Sequence, residues 1–316
     1  MRISAIVPCH NAGRWIGATL ASVAAQRHRP HEVIVIDDAS TDDSVSQIER
    51  SGVTVKLLRS KALNAAAARN AGIDAATGDW LAILDADDVW YPNHLARAVE
   101  LLSKTEDVAF MSNHDWISLE GTDIPIPDEA VCKLSAPRSG LSVDDYYRIG
   151  KDGFHFGHST VLYRRARVLE VGAFDVTQKR RHDIDLWLRV ITGRTWTYDT
   201  VAAAGYREGV PGSLSKDEAE CDYYYLRALA KNASRIESEA FRQHSGRQGR
   251  RAMGIAFVDG PPEHYERIRA LAWPFLPPFY RLFYASAELC PRLMRRLIEI
   301  KRRLARRLGA GPPSER

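Results

Sequence analysis

The sequence has 316 residues, 45% of them hydrophobic and 27% charged, with a formal net charge of +4. This is the make-up of an ordinary globular chain, long enough for one large domain with an extension or for two domains, and not of a disordered or fibrous one. No run of about 18 apolar residues is present to cross a bilayer. The cysteines, Cys9, Cys132, Cys221 and Cys290, are too scattered for a CxxC zinc site or a disulfide framework, which points to a reducing compartment.

Residues 3–7 are apolar and β-branched and read as a strand starting almost at Met1, so no signal peptide and a cytoplasmic location are expected. Pro8-Cys9-His10-Asn11-Ala12-Gly13 is the polar turn that follows. Trp15, Ile16, Leu20 and Val23 recur at helical spacing and predict a helix over about 14–26. Residues 32–36 predict a second strand, ending in Asp37 and Asp38, and Ala39-Ser40-Thr41-Asp42 opens a helix that runs to about residue 50. A third strand is expected over 53–58 and an Ala-rich helix over 63–76. Leu81-Ala82-Ile83-Leu84 then reads as a buried strand that ends abruptly in Asp85, Asp87 and Asp88.

Short apolar strands alternating with helices indicate a mostly parallel sheet covered on both faces. Ligands bind at the carboxyl edge of such sheets. Asp37, Asp38, Asp85 and Asp87 would therefore share that edge. Three carboxylates within four residues repel one another unless something positive joins them. A hard divalent cation suits the position, since Mg²⁺ takes one or two carboxylates and fills its other positions with water and substrate phosphate. The plain alternative is a solvated acidic turn.

Further along, a helix is expected over 95–103, a strand over 108–112 and an irregular surface loop over 121–142, which holds Pro125, Pro127 and Pro137. A short helix over 144–148, a strand over 157–163 and a helix over 164–171 follow. The helix opening at residues 180–183 carries Asp183 and Asp185 in its first turn, where acids also suit the helix dipole. One or two strands are expected over 195–206. The character then changes, and a boundary is placed near residue 210, dividing a 1–210 domain from a helical 211–316 region. That region holds a helix over 217–235, a polar stretch at 242–251 interrupted by Gly246 and Gly249, and an aromatic, proline-broken segment at 271–280. In the tail, residues 287–316 carry nine Arg/Lys against three Glu. Leu293, Leu297, Ile300, Leu304 and Leu308 form one helical stripe, and Arg295, Arg296, Arg302, Arg303, Arg306 and Arg307 occupy the rest of the circumference. This is a basic amphipathic helix of membrane-surface type. Packing against its own domain or a partner is the alternative.

Seven segments in order resemble the inverting family 2 glycosyltransferases of GT-A fold, over roughly residues 1–205. They are Ile6-Val7-Pro8-Cys9-His10-Asn11, Ser22-Val23-Ala24-Ala25-Gln26, Glu32 through Asp42, Ala68-Arg69-Asn70-Ala71-Gly72, Leu84-Asp85-Ala86-Asp87-Asp88, Gly172-Ala173-Phe174-Asp175, and His182-Asp183-Ile184-Asp185-Leu186-Trp187-Leu188-Arg189. The resemblance implies an α/β, Rossmann-like sheet with helices on both faces, followed by a mainly helical extension. It implies metal-dependent transfer, with inversion, from a nucleoside-diphosphate sugar to a saccharide or lipid-linked glycan acceptor, as in cell-surface polysaccharide or lipopolysaccharide synthesis. Pro8, His10, Asn11 and Asp38 would line the nucleotide pocket, with Asp38 accepting a hydrogen bond from the base. Asp85 would meet the ribose, Asp87 would hold Mn²⁺ or Mg²⁺, and Asp183 would be the general base. Arg69 would contact phosphate or pack its helix, with Arg59 and Lys61 as alternatives for the phosphate, and Asp185 would be structural. His155, His158 and His182 would lie on the acceptor side, with ordinary structural or surface roles as the alternative. The chain departs from the family pattern at Leu63-Asn64-Ala65, where glycine is often found, and at His182, where Glu is frequent.

A competing reading is a non-catalytic nucleotide- or carbohydrate-binding module on the same fold. A dehydrogenase is not supported, because no GxGxxG follows the first strand. A sugar nucleotidyltransferase would need a Gly-rich phosphate loop in place of Pro8–Gly13. Nucleic acid is not an expected partner, whereas the inner face of a membrane is, through the basic tail.

Overall fold

The computed structural model describes residues 1–119, 136–149, 157–212 and 217–289. His155, most of the loop expected over 121–142 and the basic stripe from Leu293 to Leu308 lie outside these residues. The chain divides into two compact units, Met1–Lys216 and Asp217–Arg316.

The described elements of the first unit are β1 (Ile3–Cys9), α1 (Ile16–Ala24), β2 (Glu32–Asp38), α2 (Ser44–Arg50), β3 (Lys56–Ser60), α3 (Ala65–Ala75), β4 (Trp80–Ile83), β5 (Val89–Trp90), α4 (His94–Leu102), β6 (Ala109–Ile117), β7 (Arg138–Leu141), α5 (Val143–Ile149), β8 (Val161–Arg164), α6 (Arg165–Glu170), α7 (His182–Ile191) and β9 (Trp196–Arg207). They form one sheet in the order β3-β2-β1-β4-β8-β6-β9-β5, and β7 pairs with β9. Strands β1 to β4, β6 and β9 run one way, and β5, β7 and β8 run against them. The mostly parallel α/β sheet expected from the sequence is present.

Its first strands read as continuous apolar runs because both of their faces are buried. Ile3, Ala5, Val7 and Cys9 of β1 share a cluster with Ile16, Leu20 and Val23 of α1 and Leu95, Ala98 and Leu102 of α4. On the opposite face α3 lies so close that a Cβ at Gly72 would come within 2.5 Å of Ile6 and 2.8 Å of Ile36. Gly72 is therefore a packing residue that lets α3, and Arg69 one turn earlier, sit against the sheet.

The polar side of α1 explains the Ser22–Gln26 motif. Ser22 Oγ accepts the Trp90 N–H (3.0 Å). Gln26 donates to the Tyr91 carbonyl (2.8 Å) and accepts the Leu95 N–H (3.1 Å). The Thr19 hydroxyl lies 2.8 Å from both the Ala86 and Asp88 carbonyls. These buried side chains satisfy the irregular backbone that follows β4. β1 lies between β2 and β4, and the sheet order reverses there, so the crevice beyond the carboxyl ends of β1 and β4 is the natural ligand position.

Several expected boundaries move. The third strand forms at Lys56–Ser60 instead of 53–58, and β6 extends to Ile117. Residues 138–141, placed in a loop because Pro125, Pro127 and Pro137 precede them, pair with β9 as a strand. His158–Thr160 is a 3-10 turn and not strand, because the Thr160 N–H (3.0 Å) and hydroxyl (2.8 Å) both return to the Gly157 carbonyl.

The second unit is helical in its described part, with α8 (Glu218–Asn232), α9 (Glu239–Asp259), α10 (Pro262–Ala272) and α11 (Pro278–Leu289). Asp217 and Ser238 cap α8 and α9 by accepting the N–H groups of Glu220 and Phe241. The polar stretch at 242–251 is the middle of α9. A Cβ on Gly249 would meet Ala272 of α10 at 3.3 Å, so helix packing, and not a break, accounts for that glycine. No described helix is long and apolar enough to cross a membrane.

Candidate active site at the carboxyl edge of the sheet

The turns after β1 and β2 are knitted together. His10 Nδ1 lies 2.7 Å from the Asp38 carbonyl, which can only accept, so His10 donates there. Its Nε2 is 3.2 Å from Asn11 Nδ2, and Asn11 Oδ1 accepts the Thr41 N–H (2.8 Å). Pro8 is half-buried, while His10 and Asn11 are exposed at the rim. The buried Asp38 carboxylate accepts the N–H groups of Leu63 (3.0 Å) and Asn64 (2.8 Å). Burial alone would raise its pKa, but the Ser60 hydroxyl and these amides outweigh it and hold the group below the usual range. Asn64 in turn caps α3 by accepting the Ala67 N–H (3.0 Å).

The three carboxylates after β4 have different surroundings. Asp88 is 1% exposed and accepts the Ser159 hydroxyl (2.6 Å) and the Arg207 N–H (2.9 Å). Burial, with Asp87 and Asp85 beside it, pushes its pKa well up. Asp88 is thus a clamp joining the loop to β9 and to the 3-10 turn. Asp85 is salt-bridged to Arg69, and that pairing, with His158 nearby, lowers its pKa against the effect of burial. Arg69 Nη1 is 2.7 Å from His182 Nε2, which accepts. Burial and the adjacent guanidinium push His182 down to about 3, so it is neutral. His182 is 6% exposed, not a surface residue. Arg69 reaches both partners from α3 and so fixes Asp85 in place.

Asp87 is half-buried and makes no salt bridge among the described residues. Burial and the Asp85 charge push it up to about 6. A carboxylate left in this condition is a place where a cation gains most. No group of three His, Cys, Asp or Glu side chains suited to a metal is found among the described residues. Asp87 with Asp85 beside it is the donor set that a hard cation completed by phosphate would use. Arg59, an alternative phosphate contact, is engaged with Asp37 at 2.9 Å, and Lys61 is exposed.

Across the site α7 begins at His182, after Arg181 in the left-handed region. The half-buried Asp183 accepts the Ile184 N–H (2.8 Å), whereas Asp185 is fully buried and takes both Arg189 Nε (3.1 Å) and Nη2 (2.8 Å). His158 lies within electrostatic reach of both Asp85 and Asp183. Burial and Arg69 push it down to about 3. Its ring meets Phe174 at 5.5 Å, and Phe174 meets His182 at 5.7 Å.

A family model described as glycosyl transferase family 2 matches residues 4–172, just over half of the chain. The chain belongs to glycosyl transferase family 2. Similar proteins include the amylovoran biosynthesis glycosyltransferase AmsB of Erwinia amylovora, 33% identical over 59% of this chain and 62% of AmsB. Another is the Escherichia coli UDP-Glc:alpha-D-GlcNAc-diphosphoundecaprenol beta-1,3-glucosyltransferase WfgD, 36% identical over 37% of this chain and 47% of WfgD. The matched part of this chain thus spans about half to three-fifths of those relatives. Among solved structures, S. aureus TarS 1-349 in complex with UDP-GlcNAc superposes with a TM-score of 0.60 at 18% identity, covering 98% of this chain and 92% of that one. That likeness is one of fold, and the α/β sheet of the first unit matches the GT-A type.

In this family 2 glycosyltransferase the described non-glycine residues with positive φ are Asn11, Ala39, Leu63, Ala173 and Arg181. The first three follow β1, β2 and β3, and the last two precede α7. Backbone strain is concentrated around the candidate site, as it commonly is where function over-determines geometry. Sequence reasoning missed Ser159 and Arg207. Arg207 donates to the Asp87 carbonyl from Nε (2.8 Å) and to the Ser118 carbonyl from Nη1 (3.0 Å). The available signal was an arginine closing the mostly apolar run of residues 201–206.

Proposed function

We propose that the chain catalyses metal-dependent, inverting transfer of a sugar from a nucleoside-diphosphate sugar to a saccharide or lipid-linked saccharide acceptor. The observation that carries this reading is the half-buried Asp87 carboxylate, without a salt bridge among the described residues, beside Asp85 at the sheet's switch point. Pro8, His10, Asn11 and Asp38 form the nucleotide side, and Asp85, oriented by Arg69, meets the ribose. Asp87 would hold Mn²⁺ or Mg²⁺, which would supply Lewis-acid neutralisation of the charge growing on the leaving diphosphate. Asp183 takes the proton of the acceptor hydroxyl as that oxygen bonds to C1 of the donor sugar. The C1–O bond to the diphosphate breaks on the opposite face, and the configuration inverts. Arg69 and the neutral His182 hold the donor-side carboxylate without adding a second acid.

The test is a thermal-shift panel of UDP, GDP and dTDP, with CMP as control, each with and without Mn²⁺. One diphosphate is expected to stabilise the chain, and chelation or Asp87→Asn abolishes the shift. Because the free Asp87 carboxylate holds its proton up to about pH 6, a cation must displace that proton below this pH. The Mn²⁺-dependent shift therefore grows as pH rises from 5 to 7.5. Absence of any nucleotide shift in a folded chain would favour a carbohydrate-binding module.

AmsB is named for amylovoran biosynthesis and WfgD for a diphosphoundecaprenol-linked acceptor. By analogy we assign this chain to cell-surface polysaccharide synthesis at the inner face of a membrane. The basic tail supports that location, since anionic lipid attracts each basic side chain near its surface by roughly 1 kcal/mol. Liposome flotation with phosphatidylglycerol vesicles should carry the full chain upward and leave a chain truncated before Ala287 behind. Equal flotation of both would remove the tail from this role.

A further inference from the structure

At the same carboxyl edge, the ends of β6 and β9 carry an aromatic cluster to which nothing above gives a function. Trp116 and Tyr206 are cross-strand partners, with rings 5.0 Å apart at 79°. His114, on the same face two residues before Trp116, lies 5.3 Å from Trp116 and 5.4 Å from Tyr206. Edge contacts of this kind fix the rings in place. Even so, the Trp116 side chain is 54% exposed. A single exposed aromatic needs no explanation. Three interlocked ones, with the largest turned outward, do.

The position of the cluster decides its meaning. Register shifts at Asn113, immediately before His114, break the β6–β9 ladder. Bulges of that kind re-aim side chains beside functional sites. Tyr206 is followed directly by Arg207, whose hydrogen bonds hold the Asp87-Asp88 turn. On the other side the His114 ring packs on the backbone of Gly157, where a Cβ would lie 2.6 Å from Nδ1. Gly157 precedes His158, which feels both Asp85 and Asp183. The cluster is therefore continuous with the candidate donor turn through Arg207 and with the candidate base helix through His158, Phe174 and His182.

We propose that Trp116, buttressed by Tyr206 and His114, is the platform on which a pyranose ring of the acceptor stacks before transfer. This rests on the glycosyl-transfer reading above. A pyranose presents an apolar face of C–H groups and a rim of hydroxyls. The exposed indole matches that face. Because neighbouring rings fix the indole beforehand, little ordering is required when the sugar arrives.

The test is proton saturation-transfer NMR on the full chain with UDP and Mn²⁺ present. The probes are the methyl glycosides of glucose, galactose and N-acetylglucosamine at millimolar concentration. At least one glycoside should show enhancement concentrated on the C–H protons of one ring face. Trp116→Ala should reduce it about tenfold, and Trp116→Phe should keep most of it, since only the flat ring is required. Equal enhancement in the wild type and Trp116→Ala, or none in the wild type with any glycoside, overturns the platform. The UDP–Mn²⁺ thermal shift, read on the same samples, separates the two ideas. A chain that stacks glycosides through Trp116 but shows no nucleotide shift refutes the transferase reading and leaves the platform standing. A nucleotide shift without Trp116-dependent enhancement does the reverse.

Discussion

Asp183→Asn is expected to lower the rate of sugar transfer by about 10²- to 10⁴-fold, the usual loss when a general base is removed. The amide has nearly the carboxylate's shape, and its oxygen can still accept the Ile184 N–H. The start of α7 should therefore survive, apart from roughly 0.3–1 kcal/mol of lost interaction with the helix dipole. The UDP–Mn²⁺ thermal shift should persist, because Asp38, Asp85 and Asp87 are untouched. Single-turnover transfer with the donor identified by the nucleotide panel gives the rate. A variant that transfers sugar at the wild-type rate would move the base role to another group.

Two residues later the same substitution should have the opposite character. Asp185→Asn is expected to cost about 3–5 kcal/mol of stability, because it leaves Arg189 as a buried cation without its partner. Arg189 is 8% exposed, and two of its nitrogens converge on Asp185 Oδ2, so water cannot replace the lost carboxylate. Urea denaturation followed by tryptophan fluorescence should show the midpoint fall with an unchanged slope. Asp185→Leu combined with Arg189→Met should recover most of the loss, since a matched apolar pair removes both charges together. If the single variant were as stable as wild type, the pair would be better hydrated than its burial indicates. Together the two results would separate the two aspartates of this helical turn into a chemical role and a structural one.

The sequence revealed the sheet because strands buried on both faces must be apolar runs, and their terminal acids stand out against that background. Asp37, Asp38, Asp85 and Asp87 are legible for that reason. Asp88 looked equivalent, yet its partners Ser159 and Arg207 are 71 and 119 residues away, and no local pattern announces a clamp of that kind. His182 was ambiguous for the same reason, since its burial depends on Arg69 and Phe174 from other parts of the chain. The two-residue strand β5 is too short to show a period, and only Ser22 and Gln26 of α1 reveal that its neighbourhood needs support. In the second unit the glycines of α9 argued locally against a helix, and close packing on Ala272 overruled them.

Leu63 gives the departure from the family pattern a physical meaning. Its φ of +47° lies in the region that glycine enters freely, and its side chain is 69% exposed. Holding an L-residue there costs about 1–2 kcal/mol, and the two amide bonds to Asp38 offset that cost. Glycine would relieve the strain but would give the unfolded chain more freedom to lose, an opposing effect of about 0.4–1 kcal/mol. The balance favours glycine by at most about 1.6 kcal/mol (about 2 less about 0.4), so leucine at position 63 is tolerated at a modest cost. The leucine marks a modest backbone cost accepted in a loop held by a carboxylate beneath it.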